Sequence, residues 1–322
     1  MPRYITNMGL LAKVETTAGT DASPAAATDG MLMIKGVNIT PIDVNYADRN
    51  LLQPFFGGSL SLVATYSAKV TFDVEASGSG TAGTSALWGA LLQGCGTAQA
   101  SLTTPTRIEH TPVSSSLKTL TIYLYDDGAL HKLIGAVGNA KFSAKQGEVP
   151  KFSFEFIGTY SAVTAVALPA ITLTGWKPPL PMNKANVVDI TLGCTYSAGA
   201  LTGGTVFGSN GIEVDFGNKT SWIATLTSER AELTDRDTSC SFELELTAAQ
   251  EVTAMSDILA NNTTGLGFTI NGTAGNKLIL FAPTLQRTAI KKVDENGIRL
   301  LGFDGKLVPS SAGNDEFRFV QL

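Results

Sequence analysis

The chain is 322 residues long, with a formal net charge of -5 and only 16% charged residues, against about 25% in an ordinary soluble protein. Its Lys and Arg are scattered, which argues against a basic groove for nucleic acid, and no apolar run reaches the 18 or so residues of a membrane helix. Three distant cysteines, Cys95, Cys194 and Cys240, read as reduced, buried thiols of a protein made in a cytoplasm.

The opening MPRYITNMGLLAKVE has too short an apolar stretch for a signal peptide, and Lys13 interrupts it. Residues 1–30 continue with TTAGTDASPAAATDG, which lacks apolar periodicity and reads as an extended arm. A first domain is expected over 31–165. It starts with a strand around Ile42-Asp43-Val44-Asn45-Tyr46, followed by a connection that carries Leu51, Leu52, Phe55 and Phe56. Solvated hairpin tips do not normally carry such residues. Two readings stand: a contact surface for other chains, or a loop folded back on its own core.

Val70-Thr71-Phe72-Asp73-Val74-Glu75 alternates apolar and polar residues, the pattern of a strand with one buried face. Phe72 and Val74 then face the core, and Asp73 and Glu75 the opposite side. Next come Gly78, Gly80 and Gly83, which spell G-x-G-x-x-G ahead of a helix with Leu87, Trp88, Leu91 and Leu92 on one side. Glycines in that position can cradle a pyrophosphate. Two features weaken a cofactor reading: the preceding strand is not apolar throughout, and no acidic residue ends a strand about 20 positions on. LTIYLYDDGALHKLIGAVG then reads as strand, turn at Asp127-Gly128, and strand. KFSFEFIG from Lys151 closes the domain, with Phe152, Phe154 and Phe156 alternating with Ser153 and Glu155.

Residues 166–186 contain Pro169, Pro178, Pro179 and Pro181 and read as a stiff linker. A second domain, 187–322, follows the plan of the first. Ile212-Glu213-Val214-Asp215-Phe216 matches Ile42 to Tyr46 (212 − 42 = 170), and Phe242 matches Phe72 at the same spacing (242 − 72 = 170). The connection between these segments carries Trp222 and Ile223. Glu243 and Glu245 repeat the outward acids. Thr247 and Gln250 form a capping box for a helix with Val252, Met255, Ile258 and Leu259 at helical spacing. Where the first copy has its glycines the second reads LTAAQEV, so the shared element is strand, connection, helix. A strand pair turning near Asn271-Gly272 and a last strand from Ile298 complete the copy.

The expected class is mainly β: two similar sandwich or barrel domains, each with one short α-helix, behind an N-terminal arm. Neither His110 nor His131 stands at a metal-ligand spacing, and no G-x-S-x-G, H-E-x-x-H or P-loop occurs. The sequence thus points to no catalytic residue, no metal and no cofactor.

Three stretches resemble a known family: GLLAKVETTAGTDASPAAATDGMLM from Gly9, VEASGSGTAGTSALWGALLQGCG from Val74, and HTPVSSSLKTLTIYLYDDGALHKLIGA from His110. They look like the major tail tube proteins of long-tailed, siphovirus-type bacteriophages. The likeness covers most of the first half and is weaker in the second. It implies a structural virion protein of the tail, assembled in the host cytoplasm. Six tube domains would form each ring around a DNA-conducting channel, with tape measure and tail-end proteins as further partners. Two domains per chain point to a homotrimer making a pseudo-hexameric ring. Leu51, Leu52, Phe55, Phe56, Trp222 and Ile223 are then the candidate contacts between subunits. Asp73, Glu75, Glu243 and Glu245 are candidates for the channel wall or, on the other reading, solvate an outer sheet face. A decoration or tail-tip binding module is the competing non-enzymatic role.

Overall fold

A computed structural model describes residues 3–322. It is mainly β, with two helices, Trp88–Gly94 (α1) and Ala248–Leu259 (α2), among the described residues. In the first half, strand Leu62–Glu75 lies between Asn38–Ala47 and Lys151–Tyr160. Beyond Lys151–Tyr160 comes the long strand Ala129–Lys145, then Leu120–Asp126, then Met8–Val14. The second half repeats this order. Ser239–Leu244 lies between Ser209–Asp215 and Ile298–Leu307, followed by Leu278–Glu295, Thr263–Ile270 and Val187–Leu192. All these pairs are antiparallel.

The alternating segments form strands because one face of each is apolar. Phe72, Val74, Phe152, Phe154 and Phe156 are buried, whereas Asp73, Glu75, Ser153 and Glu155 are not. Rings meet across the strands: Phe72 and Phe156 stack at 6.0 Å, and Phe242 and Phe303 do the same at 5.5 Å in the second half. The core does not divide between the halves. Phe319, in the C-terminal strand Arg318–Gln321, packs on Phe142 and Phe152 of the first half at 5.2 and 5.4 Å. That strand pairs with Thr106–Pro112 on one side and with Leu278–Phe281 on the other.

Three local expectations change. Residues 8–14, expected within the arm, form a strand that buries Leu10 and Leu11 against Leu120–Asp126. The proline-rich segment, read as a stiff linker, is largely exposed but anchored at two buried residues. Trp176 and Met182 are buried, and the Trp176 Nε1–H donates to Gly30 O at 2.9 Å. The Asp127-Gly128 turn forms as expected, with both residues at positive φ and Asp126 facing Ala129. The Asn271-Gly272 turn does not, because Ile270 faces Leu278 across a longer loop and the positive φ falls on Gly275.

The helices differ in their surroundings. α1 buries Trp88, Leu91 and Leu92, and the hairpin Thr97–Thr103/Thr106–Pro112 covers it. α2 has the expected capping box, with Thr247 N–H donating to Gln250 Oε1 and Gln250 N–H to Thr247 Oγ1. Its buried residue, however, is Ala254, and Val252 and Leu259 are 69% and 85% exposed. The second half runs from α2 almost directly into Thr263–Ile270, so no covering hairpin buries that apolar stripe.

Candidate assembly surfaces

The two halves join edge to edge. The outer side of Ser209–Asp215 pairs with the end of Ala129–Lys145, with Gly211 opposite Lys145 and Asp215 opposite Lys141. Eight strands therefore run side by side: two quartets of equal order, from Asn38–Ala47 at one end to Leu278–Glu295 at the other. The outer side of Asn38–Ala47 has no partner among the described residues. Nor has the outer side of Leu278–Glu295 beyond Gln286, where its pairing with Thr263–Ile270 stops. Such edges present unpaired N–H and C=O groups that template further strand pairing.

One face of this eight-stranded sheet packs on the core. The other is polar and carries Asp73, Glu75 and Glu243, with Glu245 one residue past the end of its strand. Asp73 accepts from Lys151 Nζ at 2.8 Å, and Asn210 Nδ2 donates to Glu243 Oε2 at 3.3 Å. Glu75 is half-buried and Glu245 exposed. The face is not simply acidic. Lys141 pairs with Asp215 at 2.9 Å and Lys145 with Glu213 at 3.4 Å, across the junction of the halves. The hydrogen bond to Asp215 pushes the Lys141 ammonium above its ordinary pKa, and the one to Asp73 does the same for Lys151. Burial acts to raise the Asp215 pKa, but hydrogen bonds from Asn139, Lys141 and Gly217 outweigh it, and the net shift is downward.

The two apolar connections behave differently. In the first half, Leu51, Leu52, Phe55 and Phe56 lie in a loop without strand structure and are exposed, Leu52 and Phe56 completely. In the second half the connection forms its own hairpin, Asn218–Ala224 with Glu229–Arg236. Trp222 and Leu233 of that hairpin pack on Val137 and Ile157 of the first half, and Ile223 is half-buried. Asn218 Nδ2 donates to Cys95 O and Gly138 O at 2.7 and 3.0 Å, and Arg236 pairs with Glu316 at 2.8 Å. Trp222 thus fills an intrachain contact between the halves, and its first-half counterpart has none.

The glycine-rich loop faces protein. Gly80 N–H donates to Gly275 O at 2.9 Å and Gly78 N–H to Asn276 Oδ1 at 2.9 Å. A side chain at Gly78 would strike the Gly275 carbonyl. The glycines permit a close approach of two loops from the two halves, and those two amides are already used. Among the described residues no group of three or more His, Cys, Asp and Glu is placed to hold a metal, and no helix is long and apolar enough to cross a membrane.

Sequence reasoning missed the edge residues, because it aligned the halves by one offset throughout. Register corrects this. Ile39 faces Val70, and Val214 faces Cys240. The inner strands keep the first spacing (240 − 70 = 170), but the edge strands are shifted (214 − 39 = 175). Ile42 is accordingly exposed where Ile212 is buried. The signal was present as Gly36-Val37-Asn38-Ile39 against Gly211-Ile212-Glu213-Val214.

The joined sheet thus ends in two strand edges without partners among the described residues, and such edges can take up further strands. The profile of the phage tail tube protein family matches residues 6–308, and the chain belongs to that family. It is a structural component of a phage tail that self-assembles into a tube. No protein with a curated description matches the chain.

Proposed function

We propose that three copies of this chain close one pseudo-hexameric ring of a siphovirus-type tail tube, and that stacked rings conduct double-stranded DNA during ejection. The observation that carries this reading is the recurrence of one strand order in both halves, already joined edge to edge within the chain. Two similar domains, descended from a duplication, supply two of six positions. A head-to-tail contact repeated at a constant rotation closes into a ring, and closure removes every free edge.

The polar sheet face bearing Asp73, Glu75, Glu243 and Glu245 lines the bore in this reading. Its support is the placement of the core on the other face. DNA carries about one negative charge per 1.7 Å of axis, so a basic wall would grip it. Here lysines are offset by carboxylates, which gives a wall with little hold on the polymer. The exposed loop with Leu51, Leu52, Phe55 and Phe56 makes contact with a neighbouring chain. The role is non-enzymatic, and tape measure and tail-end proteins meet the tube at its ends.

Negative-stain microscopy of concentrated protein, with native mass measurement of the rings, tests the reading. Tubes built from three-chain rings are expected. Six-chain rings would remove the proposed stoichiometry, and a protein that stays monomeric at all concentrations would remove the ring itself.

A further inference from the structure

We infer that the seam between chains repeats, residue for residue, the seam inside the chain, with Gly36 as the position that lets the two strands close. This rests on the ring reading above and specifies where and how one chain meets the next.

Inside the chain, Gly211 sits opposite Lys145 at φ +115°. A Cβ there would fall on the Ala144 carbonyl oxygen and within 2.7 Å of Lys145 Cα. The junction needs glycine twice over, for its backbone conformation and for the approach. Gly36 occupies the same place in the first half, three residues before Ile39 as Gly211 is three before Val214. Its φ is +110°, and nothing lies within 4 Å of its missing side chain. Gly36 therefore holds an unusual backbone conformation two residues before the open edge strand Asn38–Ala47, with empty space where a side chain would stand.

The complementary edge follows from register. Ala140 faces Phe154 in the first half as Ile290 faces Phe303 in the second, and Phe154 and Phe303 face Phe72 and Phe242. Lys141–Lys145, which receive Ser209–Asp215, therefore correspond to Lys291–Glu295. Transferring the internal register puts Gly36 of one chain opposite Glu295 of the next, Asn38 opposite Val293 and Thr40 opposite Lys291. Pairing of this kind is strand addition, with backbone hydrogen bonds as its main contacts.

The two seams differ chemically. Asp215 and Glu213 hold Lys141 and Lys145 at the internal one. Thr40 and Asn38 stand in their places at the external one, so those ion pairs have no counterpart there. The external seam relies on its backbone ladder with Val37, Ile39 and Val293 alongside, and it lacks the covalent link. A ring would come apart into whole chains, at three joints rather than six.

The test is a double variant, Asn38→Cys with Val293→Cys, assembled and then oxidised. The native cysteines are buried and do not interfere. Directly opposed strand residues have Cβ atoms about 4.5–5.5 Å apart, near disulfide range, whereas a two-residue shift puts them at about 7–8 Å. Non-reducing gels should show dimers and trimers and no larger species. The shifted pair, Asn38→Cys with Lys291→Cys, should stay monomeric on the gel. Tubes that form normally but cross-link only through the shifted pair, or through neither, overturn the seam and leave the ring reading standing. Absence of rings and tubes from the unaltered chain overturns both. As a second arm, Gly36→Val should leave the free chain folded with a melting temperature lowered by a few degrees, yet abolish tubes. Normal tubes from Gly36→Val would overturn the close approach.

Discussion

His110 shows how a buried residue sets a property of the whole chain. Its ring is fully buried beside Trp88, at 5.7 Å between centroids, with Gln321 Nε2 3.2 Å from its Nε2 and no partner for Nδ1. Burial lowers its pKa to about 4, against about 6.5 in an unfolded chain. Above pH 6.5 both states are neutral there, and the residue has no effect on the pH dependence. As pH falls from 6.5 to 4, the unfolded chain takes a proton that the folded chain refuses, and stability drops by about 1.4 kcal/mol per pH unit. Urea unfolding at pH 7 and pH 4.5 should show a loss about 2–3 kcal/mol larger for the parent than for His110→Leu. A histidine ring titration by NMR gives an independent check, since His110 should remain neutral at pH 5. The neighbouring Glu109 is also buried and accepts from Arg107, Arg318 and Tyr196, each at 2.6 Å. Burial acts to raise its pKa, but the bonds from Tyr196 and Arg107 and the charge of Arg318 bring it below the usual range. This charge is fully paired, which is the condition for burying one. It ties the first-half hairpin to the C-terminal strand.

Among the elements, the two apolar connections differ in what they touch within the chain. The hairpin around Trp222 is part of the chain's own packing, whereas the loop around Phe56 touches nothing that would explain its composition. Replacing Phe55 and Phe56 together by Ser should change unfolding free energy by no more than about 0.5 kcal/mol each, as for other exposed sites, and reduce tube yield sharply in a sedimentation assay. Trp222→Ser should instead destabilise the chain itself, by about 1–3 kcal/mol for a half-buried ring that packs on Val137 and Ile157. Equal effects of the two changes on stability would show that the loop has a packing role in the free chain. The helices make the same point. α1 and α2 follow equivalent strands, but only α1 lies under a hairpin, and so the stripe of Val252, Met255 and Leu259 stays open to solvent.

For the whole molecule, the joined sheet has a charge pattern rather than a simple charge. Lys151 already neutralises Asp73, and Lys141 and Lys145 neutralise the acids at the junction. The informative change to the proposed bore is therefore at the carboxylates without a lysine partner. Glu75, Glu243 and Glu245, all replaced by Lys, should leave tube assembly intact and slow DNA ejection from virions, by the same attraction that makes basic surfaces bind DNA. Ejection at the unaltered rate would place these residues away from the DNA path. Asp73→Lys is a poorer probe, because it would set two ammonium groups against each other on adjacent strands.

Much of the local order was legible along the chain. Alternation at Phe72-Asp73-Val74-Glu75 and Phe152-Ser153-Phe154-Glu155-Phe156 identified half-buried strands, because side chains alternate faces whatever the tertiary context. The Asp127-Gly128 turn and the Thr247/Gln250 capping box depend only on residues a few positions apart, and both formed as read. The similarity of Phe72 and Phe242 exposed the internal parallel. What local sequence could not decide was pairing. Strand Met8–Val14 lay hidden in a segment read as an extended arm, because its burial depends on Leu120–Asp126 more than a hundred residues away. The shift from 170 to 175 at the edge strands came from cross-strand register, which a gap-free comparison cannot see. The packing of Trp222 beside the exposure of Phe56, and the filled space at Gly211 beside the empty space at Gly36, depend on which strand lies next to which. That is settled only when distant segments share one sheet, because a strand's edge has no meaning until its neighbour is in place.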